Sequence, residues 1–255
     1  MRHKPSLPLA LAVFVGYVVI ASALWAALDV DYDAISDSAA NVREAVVIPI
    51  GVGAVYLAIT TTLLGWWRPA LFESARVGPM WMAIALPTLV GIGVLLNLAG
   101  SEWDQLETGF LWWLLVGTAF VGFSEELLTR GLIIVGARAT LSENYVWLVS
   151  GALFGVLHSI NALFGQGAGD TVSQMVFAFL IGTVFYVIRR TTGTIIVTMV
   201  LHAGWDYSTF TLENTGASGS GGLGLYLALM IAFVAVVMMS ARPDDWAPTS
   251  PSLRP

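Results

Sequence analysis

Residues 110–137 read FLWWLLVGTAFVGFSEELLTRGLIIVGA. The stretch carries three ionisable groups, Glu125, Glu126 and Arg130, all in its second half. It is longer than the roughly twenty residues of helix that cross the hydrocarbon core of a bilayer. Its apolar character is continuous rather than alternating, which argues against a strand of a membrane barrel. A charge near the bilayer centre costs about 2.5–3.5 kcal/mol even on the lenient insertion scale, so these groups must face a bundle interior or a wet cavity. The stretch reads as one membrane-crossing helix of a bundle with a polar inside.

The rest of the 255 residues agrees. Hydrophobic residues make up 57% and charged residues 11% of the chain, and the mean hydropathy is +0.79. That composition excludes a water-soluble globule. Seven more spans can be drawn, at about 8–28, 43–65, 79–99, 145–163, 171–188, 193–212 and 222–241. The expected fold class is all-α, a polytopic transmembrane helical bundle of about eight spans. The absence of Cys excludes disulfides, thiolate nucleophiles and Cys-ligated zinc. A net charge of −6 with no Lys/Arg cluster excludes a nucleic-acid partner.

Orientation follows from the cations, because Lys and Arg in short loops stay on the cytoplasmic side. Arg2, Lys4, Arg68, Arg76, Arg138, Arg189, Arg190, Arg242 and Arg254 all fall on one side if eight spans are threaded. The opposite segments carry Asp29, Asp31, Asp33, Asp37, Glu102, Asp104, Glu107, Asp170 and Glu213, and Arg43 alone breaks the pattern. Both termini are therefore expected in the cytoplasm, and the chain is expected as a multi-pass protein of the cell membrane. Residues 1–242 read as a single transmembrane domain whose first span is a retained helix. Residues 243–255 read as a disordered cytoplasmic tail, and Gly216 to Gly222 as a flexible outer loop.

Six ionisable residues lie deep in the spans: Glu125, Glu126 and Arg130 in the fourth, His158 in the fifth, His202 and Asp206 in the seventh. Counting at about 1.5 Å per residue from the cytoplasmic ends puts Glu125, His158 and Asp206 at roughly 20 Å, and His202 at roughly 13 Å. If the three helices adjoin, they share one polar site, with the Arg130 side as the natural way in. Residues four apart share a face, so Arg130 can pair with Glu126, and Asp206 can orient His202 or lie beside it. Glu125 is left without a local cation, the setting that suits a general base. Each element has a plainer explanation: a structural ion pair, a helix-to-helix hydrogen bond, a proton relay, or packing for Trp112, Trp113 and Phe154. What favours function is that all six fall on three helices at similar depth.

In order, Glu125 to Arg130 fits EExxxR, Phe154 to His158 fits FxxxH, and His202 to Asp206 fits HxxxN/D. Three motifs in this order on successive hydrophobic helices resemble the CPBP intramembrane proteases, which include the type II CAAX prenyl endopeptidases and the bacteriocin-processing and self-immunity proteins. The resemblance covers about residues 105–212, the expected catalytic core. It implies hydrolysis of a peptide bond in a membrane-associated or lipidated protein or peptide. Glu125 and His158 would activate water, with His202 and Asp206 assisting; the residues themselves suit the same roles, Glu126 with Arg130 supporting Glu125 and His202 stabilising the developing oxyanion. It also implies zinc as a possible cofactor, on Glu125, His158 and His202, beside a metal-free glutamate mechanism with the same residues. Asp206 stands where the eukaryotic CAAX enzymes have Asn, so a prenylated substrate does not follow. The implied partners are the bilayer and a peptide or protein substrate. The rival classes are an ion- or proton-coupled transporter and an immunity or scaffold protein using the same polar cluster.

Overall fold

The computed structural model describes residues 2–241. The tail 243–255 and the cations Arg242 and Arg254 lie outside the described residues. Eight long helices follow one another: α1 (Leu7–Ala27), α2 (Ala39–Leu64), α3 (Met80–Gly100), α4 (Thr108–Ala137), α5 (Glu143–Leu157), α6 (Ala168–Thr192), α7 (Ile196–Thr215) and α8 (Gly222–Ala241). Among the described residues no strand forms, and the sole ladder contact is an isolated bridge between Phe72 and Thr194. Six of the helices, α1 to α6, are long and apolar enough to cross a membrane, with α5 counted through its 3₁₀ extension to Phe164. The segment Leu225–Ser240 of α8 is a shorter apolar helix. In α7 the ionisable groups His202, Asp206 and Glu213 dilute the apolar character.

The centre of the bundle is the second half of α4. From Glu126 to Arg138 every residue is buried, and the segment is enclosed by α1, α2, α5, α6 and the short helix Trp67–Leu71, with α7 against Glu126. A helix buried all round needs a continuous apolar surface, which LLTRGLIIVGA supplies with Arg130 and Thr129 as its polar exceptions. Residues Leu127–Ile133 are wound as π-helix, a wider turn that loosens the usual backbone pairing. Neighbours satisfy the carbonyls: Thr129 Oγ1 donates to Glu125 O at 2.6 Å, Ser150 Oγ donates to Thr129 O at 2.9 Å, and Arg189 Nη1 donates to Arg130 O.

One end of the bundle is cationic, as the charge pattern predicts, but Arg138, Arg189 and Arg190 are not solvated loop residues there. Arg189 and Arg190 are completely buried, and Arg138 is nearly so. Glu73 accepts from Arg138 at 2.9 and 3.1 Å, from Arg189 at 2.6 Å and from Arg190 at 3.3 Å. Glu143 pairs with Arg138 at 2.6 Å and Arg190 at 2.9 Å and accepts from Tyr186. Arg189 further donates to the carbonyls of Pro69 and Ala70. The network ties the 65–79 connection to α4, α5 and α6.

Burial alone raises the Glu73 carboxyl, but Arg138 and Arg189 outweigh it and hold the group below the ordinary carboxylate value. Its contribution to stability is then complete above that ordinary value and is lost as pH falls through the lowered one. Glu73→Gln is expected to destabilise the protein by about 3–5 kcal/mol near neutral pH, since it leaves buried guanidinium charge uncompensated. Its unfolding in mixed detergent is also expected to lose much of the acid sensitivity of the wild type. An unchanged midpoint at both pH extremes would contradict the role given to this network.

At the other, acidic end the 3₁₀ segment Tyr32–Asp37 lies against α7, with Asn214 Nδ2 donating to Ser36 O at 2.6 Å. Arg43, the exception in the charge pattern, is paired with Glu44 at 2.7 Å.

Candidate active site

Helix α4 brings Glu125, Glu126 and Arg130, and α7 brings His202 and Asp206 against them. The approach of α7 depends on Gly122, because a Cβ there would collide with the carbonyl oxygen of Met199 and crowd Ala203. Arg130 Nη1 donates to Glu126 Oε1 at 2.9 Å and to Thr129 Oγ1 at 2.7 Å. The same Glu126 oxygen accepts from His202 Nδ1 at 3.1 Å. A carboxylate only accepts, so Nδ1 carries the hydrogen and Nε2 is the working nitrogen of His202. Nε2 lies 3.8 Å from Glu125 Oε2 and 3.5 Å from Asp206 Oδ2. Asp206 is thus turned toward His202.

The pairing of Arg130 with Glu126 therefore exists as the spacing predicts, and it is buried on both partners. Stacking completes it: the guanidinium carbon sits 3.9 Å from the Phe154 ring centroid and 5.7 Å from that of Phe185. Gly182 makes the room, since a Cβ there would run into Arg130 Nη2 and Phe154. Two elements of this cradle carry no signal in the sequence, Gly182 and Phe185 of α6. Their spacing of three residues places them on one face, but an apolar span offers nothing to mark that face as part of a site.

His158 joins through Phe154. The α-helical part of α5 stops at Leu157, and His158 opens the 3₁₀ turn His158–Phe164. Its Nδ1 is 2.8 Å from the Phe154 carbonyl oxygen. That oxygen has no hydrogen to give, so Nδ1 donates and the Nε2 lone pair of the neutral ring is left for a ligand or water. The Phe154 ring meets both imidazoles edge-on, with centroids 5.1 Å from His158 and 5.6 Å from His202. Phe185 covers His202 from another side at 5.5 Å.

Two cavities meet this cluster. The smaller, about 120 Å³, is lined by Glu125, His158, His202 and Asp206 on one side and by Tyr17, Trp25 and Val46 on the other. Glu125 Oε2 makes no hydrogen bond, and the cavity beside it is large enough for a few waters. The larger cavity, about 710 Å³, shares His158, His202 and Asp206 and extends to Asp33, Asp37, Asp170 and Glu213. Access from the Arg130 side, expected from the sequence, is corrected: Arg130 is completely buried beneath Arg189 and the 65–79 connection. The opening is at the acidic end.

Tyr32 and Gln174 line both cavities and form a polar wall common to them. Gln174 Nε2 donates to Tyr32 Oη at 2.6 Å, and Gln174 Oε1 accepts from Asn161 at 2.8 Å and Gln166 at 2.9 Å. Burial raises the Tyr32 hydroxyl above the ordinary tyrosine value and outweighs the bond from Gln174, which lowers it, so the group stays neutral.

The implied zinc set of Glu125, His158 and His202 can be tested against this arrangement. Among the described residues no three His, Asp or Glu side chains converge as donors to one metal ion. His202 also commits Nδ1 to Glu126, and its Nε2 is shared between two carboxylates. As arranged, the three residues do not fit a zinc ligand set, and the chemistry below uses the side chains alone.

Residues 107–208 match the family model described as type II CAAX prenyl endopeptidase Rce1-like. The matched segment runs from the residue before α4 into α7 and includes all six clustered residues. No curated protein matches the chain.

Proposed function

We propose, on the premise that residues 107–208 form a protease core of the CPBP/CAAX family, that this multi-pass membrane protein is an intramembrane endopeptidase using a glutamate-activated water. A protease of this family acts on peptide or protein substrates in the membrane. The observation that carries the reading is the Glu125 carboxylate, unbonded at Oε2, facing a small cavity shared with His158 and His202.

In the proposed reaction a water in that cavity is held by the Nε2 lone pair of His158 and gives a proton to Glu125 as its oxygen attacks the peptide carbonyl. His202, with Nε2 protonated, donates to the oxygen that gains charge. The C–N bond then breaks, and Glu125 returns the proton to the leaving nitrogen, so no net proton is gained or lost by the enzyme. Glu126 and Arg130 act one step back: Glu126 fixes the His202 ring through Nδ1, and Arg130 fixes Glu126. Asp206 lies beside Nε2 and favours the donating form. The neighbouring Phe154 and Phe185 rings exclude water from the back of both imidazoles.

The test is to compare membrane peptides from cells carrying the wild type and Glu125→Gln. One or more intact membrane proteins are expected to accumulate only with Glu125→Gln, and their missing fragments identify the cleaved bond. Identical peptide sets, together with ion or proton flux that depends on Glu125, would favour a transporter instead.

Donor geometry gives a further expected result. Purified protein is expected to retain its cleavage rate after exhaustive chelation, with zinc well below one per chain. A rate lost on chelation and restored by zinc alone would mean that Glu125, His158 and His202 rearrange into a ligand set.

A further inference from the structure

The larger cavity is chemically one-sided. Asp33, Asp37, Asp170, Asp206 and Glu213 line it, and no Lys or Arg does. Among the described residues none of Asp33, Asp37, Asp170 and Glu213 takes part in an ion pair. Arg43, the single cation of the outer segments, is already engaged by Glu44. Aromatic side chains form part of the remaining lining, with Phe177 and Trp205 6.2 Å apart between centroids. At the inner end the His202 side chain, 7% exposed, presents an Nε2 that has no hydrogen bond.

Membrane topology does not account for this pattern. The positive-inside bias explains why Lys and Arg are missing from the acidic end, but Asp and Glu contribute little to orientation. Four uncompensated carboxylates around one mouth focus a negative field into a low-dielectric cleft and concentrate cations there. Aromatic walls behind them suit the methylene stems and charged heads of Lys and Arg.

We propose that the chamber is entered from the acidic end and selects peptide segments that carry Lys or Arg beside an apolar stretch. This rests on the endopeptidase reading only in taking the ligand to be a peptide.

The experiment measures binding apart from cleavage. Glu125→Gln protein is placed in phosphatidylcholine nanodiscs and titrated with three labelled peptides sharing one apolar stretch and ending in Lys-Lys-Lys, Gln-Gln-Gln or Glu-Glu-Glu. Empty nanodiscs are titrated in parallel. The Lys peptide is expected to bind about ten-fold tighter than the Gln peptide at low salt, and the Glu peptide more weakly than both. The advantage is expected to shrink as salt is raised from about 50 to 500 mM. In the same background, Asp33→Asn, Asp37→Asn, Asp170→Asn and Glu213→Gln combined are expected to reduce the Lys advantage to under about two-fold while leaving the Gln peptide unchanged. Equal binding of the three peptides overturns the proposal, and so does a Lys advantage that survives in the combined variant. The salt series on the parent protein decides the matter should the combined variant not fold. Wild-type protein that prefers the Lys peptide yet cleaves none defeats the endopeptidase reading alone. Cleavage of all three at equal efficiency defeats the charge selection alone.

Discussion

Glu125→Gln protein, purified and reconstituted, is expected to lose at least about 1,000-fold in peptide cleavage while keeping the wild-type elution volume, helix content and unfolding midpoint. The amide keeps the size of the side chain but cannot take a proton from water, and general-base catalysis of this kind is typically worth about 10²–10⁴. Folding should be spared because Oε2 of Glu125 makes no hydrogen bond and its ion-pair partner, His202, is 3.8 Å away and anchored elsewhere by Glu126. His158→Ala is expected to lose activity to a similar degree, since Phe154 fixes the ring so that its free nitrogen faces the same cavity. Near wild-type cleavage by either variant would show that the base or the water-holding group is misassigned.

Arg130→Leu is expected to lose both fold and activity, which sets it apart from Glu125→Gln. The guanidinium is completely buried, neutralises Glu126 at 2.9 Å and lies on the Phe154 face. Removing it strands a buried carboxylate, a loss of about 3–5 kcal/mol, and frees His202 from its hydrogen-bonded register. Arg130→Lys should recover part of the stability but little of the activity, because an ammonium cannot both pair with Glu126 and stack flat on Phe154. A wild-type melting profile and rate in Arg130→Leu would refute the positioning role.

Much of this arrangement is readable in the chain itself, for physical reasons. Apolar runs of bilayer length mark the helices, and the four-residue spacings of Glu126 with Arg130 and His202 with Asp206 predict pairs that the structure contains. Other features leave no local trace. Glu73 meets Arg189 across 116 residues, so the pair carries no spacing rule, and the Arg189-Arg190 doublet reads as a solvated loop although it is buried. Phe185 and Gly182 belong to a span without deep charge, and only the packing of α6 on Arg130 shows their place. The closure of the Arg130 side leaves no local trace either: Arg189 bridges the carbonyls of Arg130 and Ala70, so the 65–79 connection covers that end.

The proposed reaction turns on one chemical event, the delivery of a water oxygen to a peptide carbonyl by Glu125. It is tested most directly by incubating reconstituted wild-type and Glu125→Gln protein with a cleaved membrane substrate in ¹⁸O-water and weighing the fragments. The prediction is a new carboxyl terminus carrying one solvent oxygen from the wild type and no such fragment from Glu125→Gln. Labelled fragments formed equally by both proteins would contradict it.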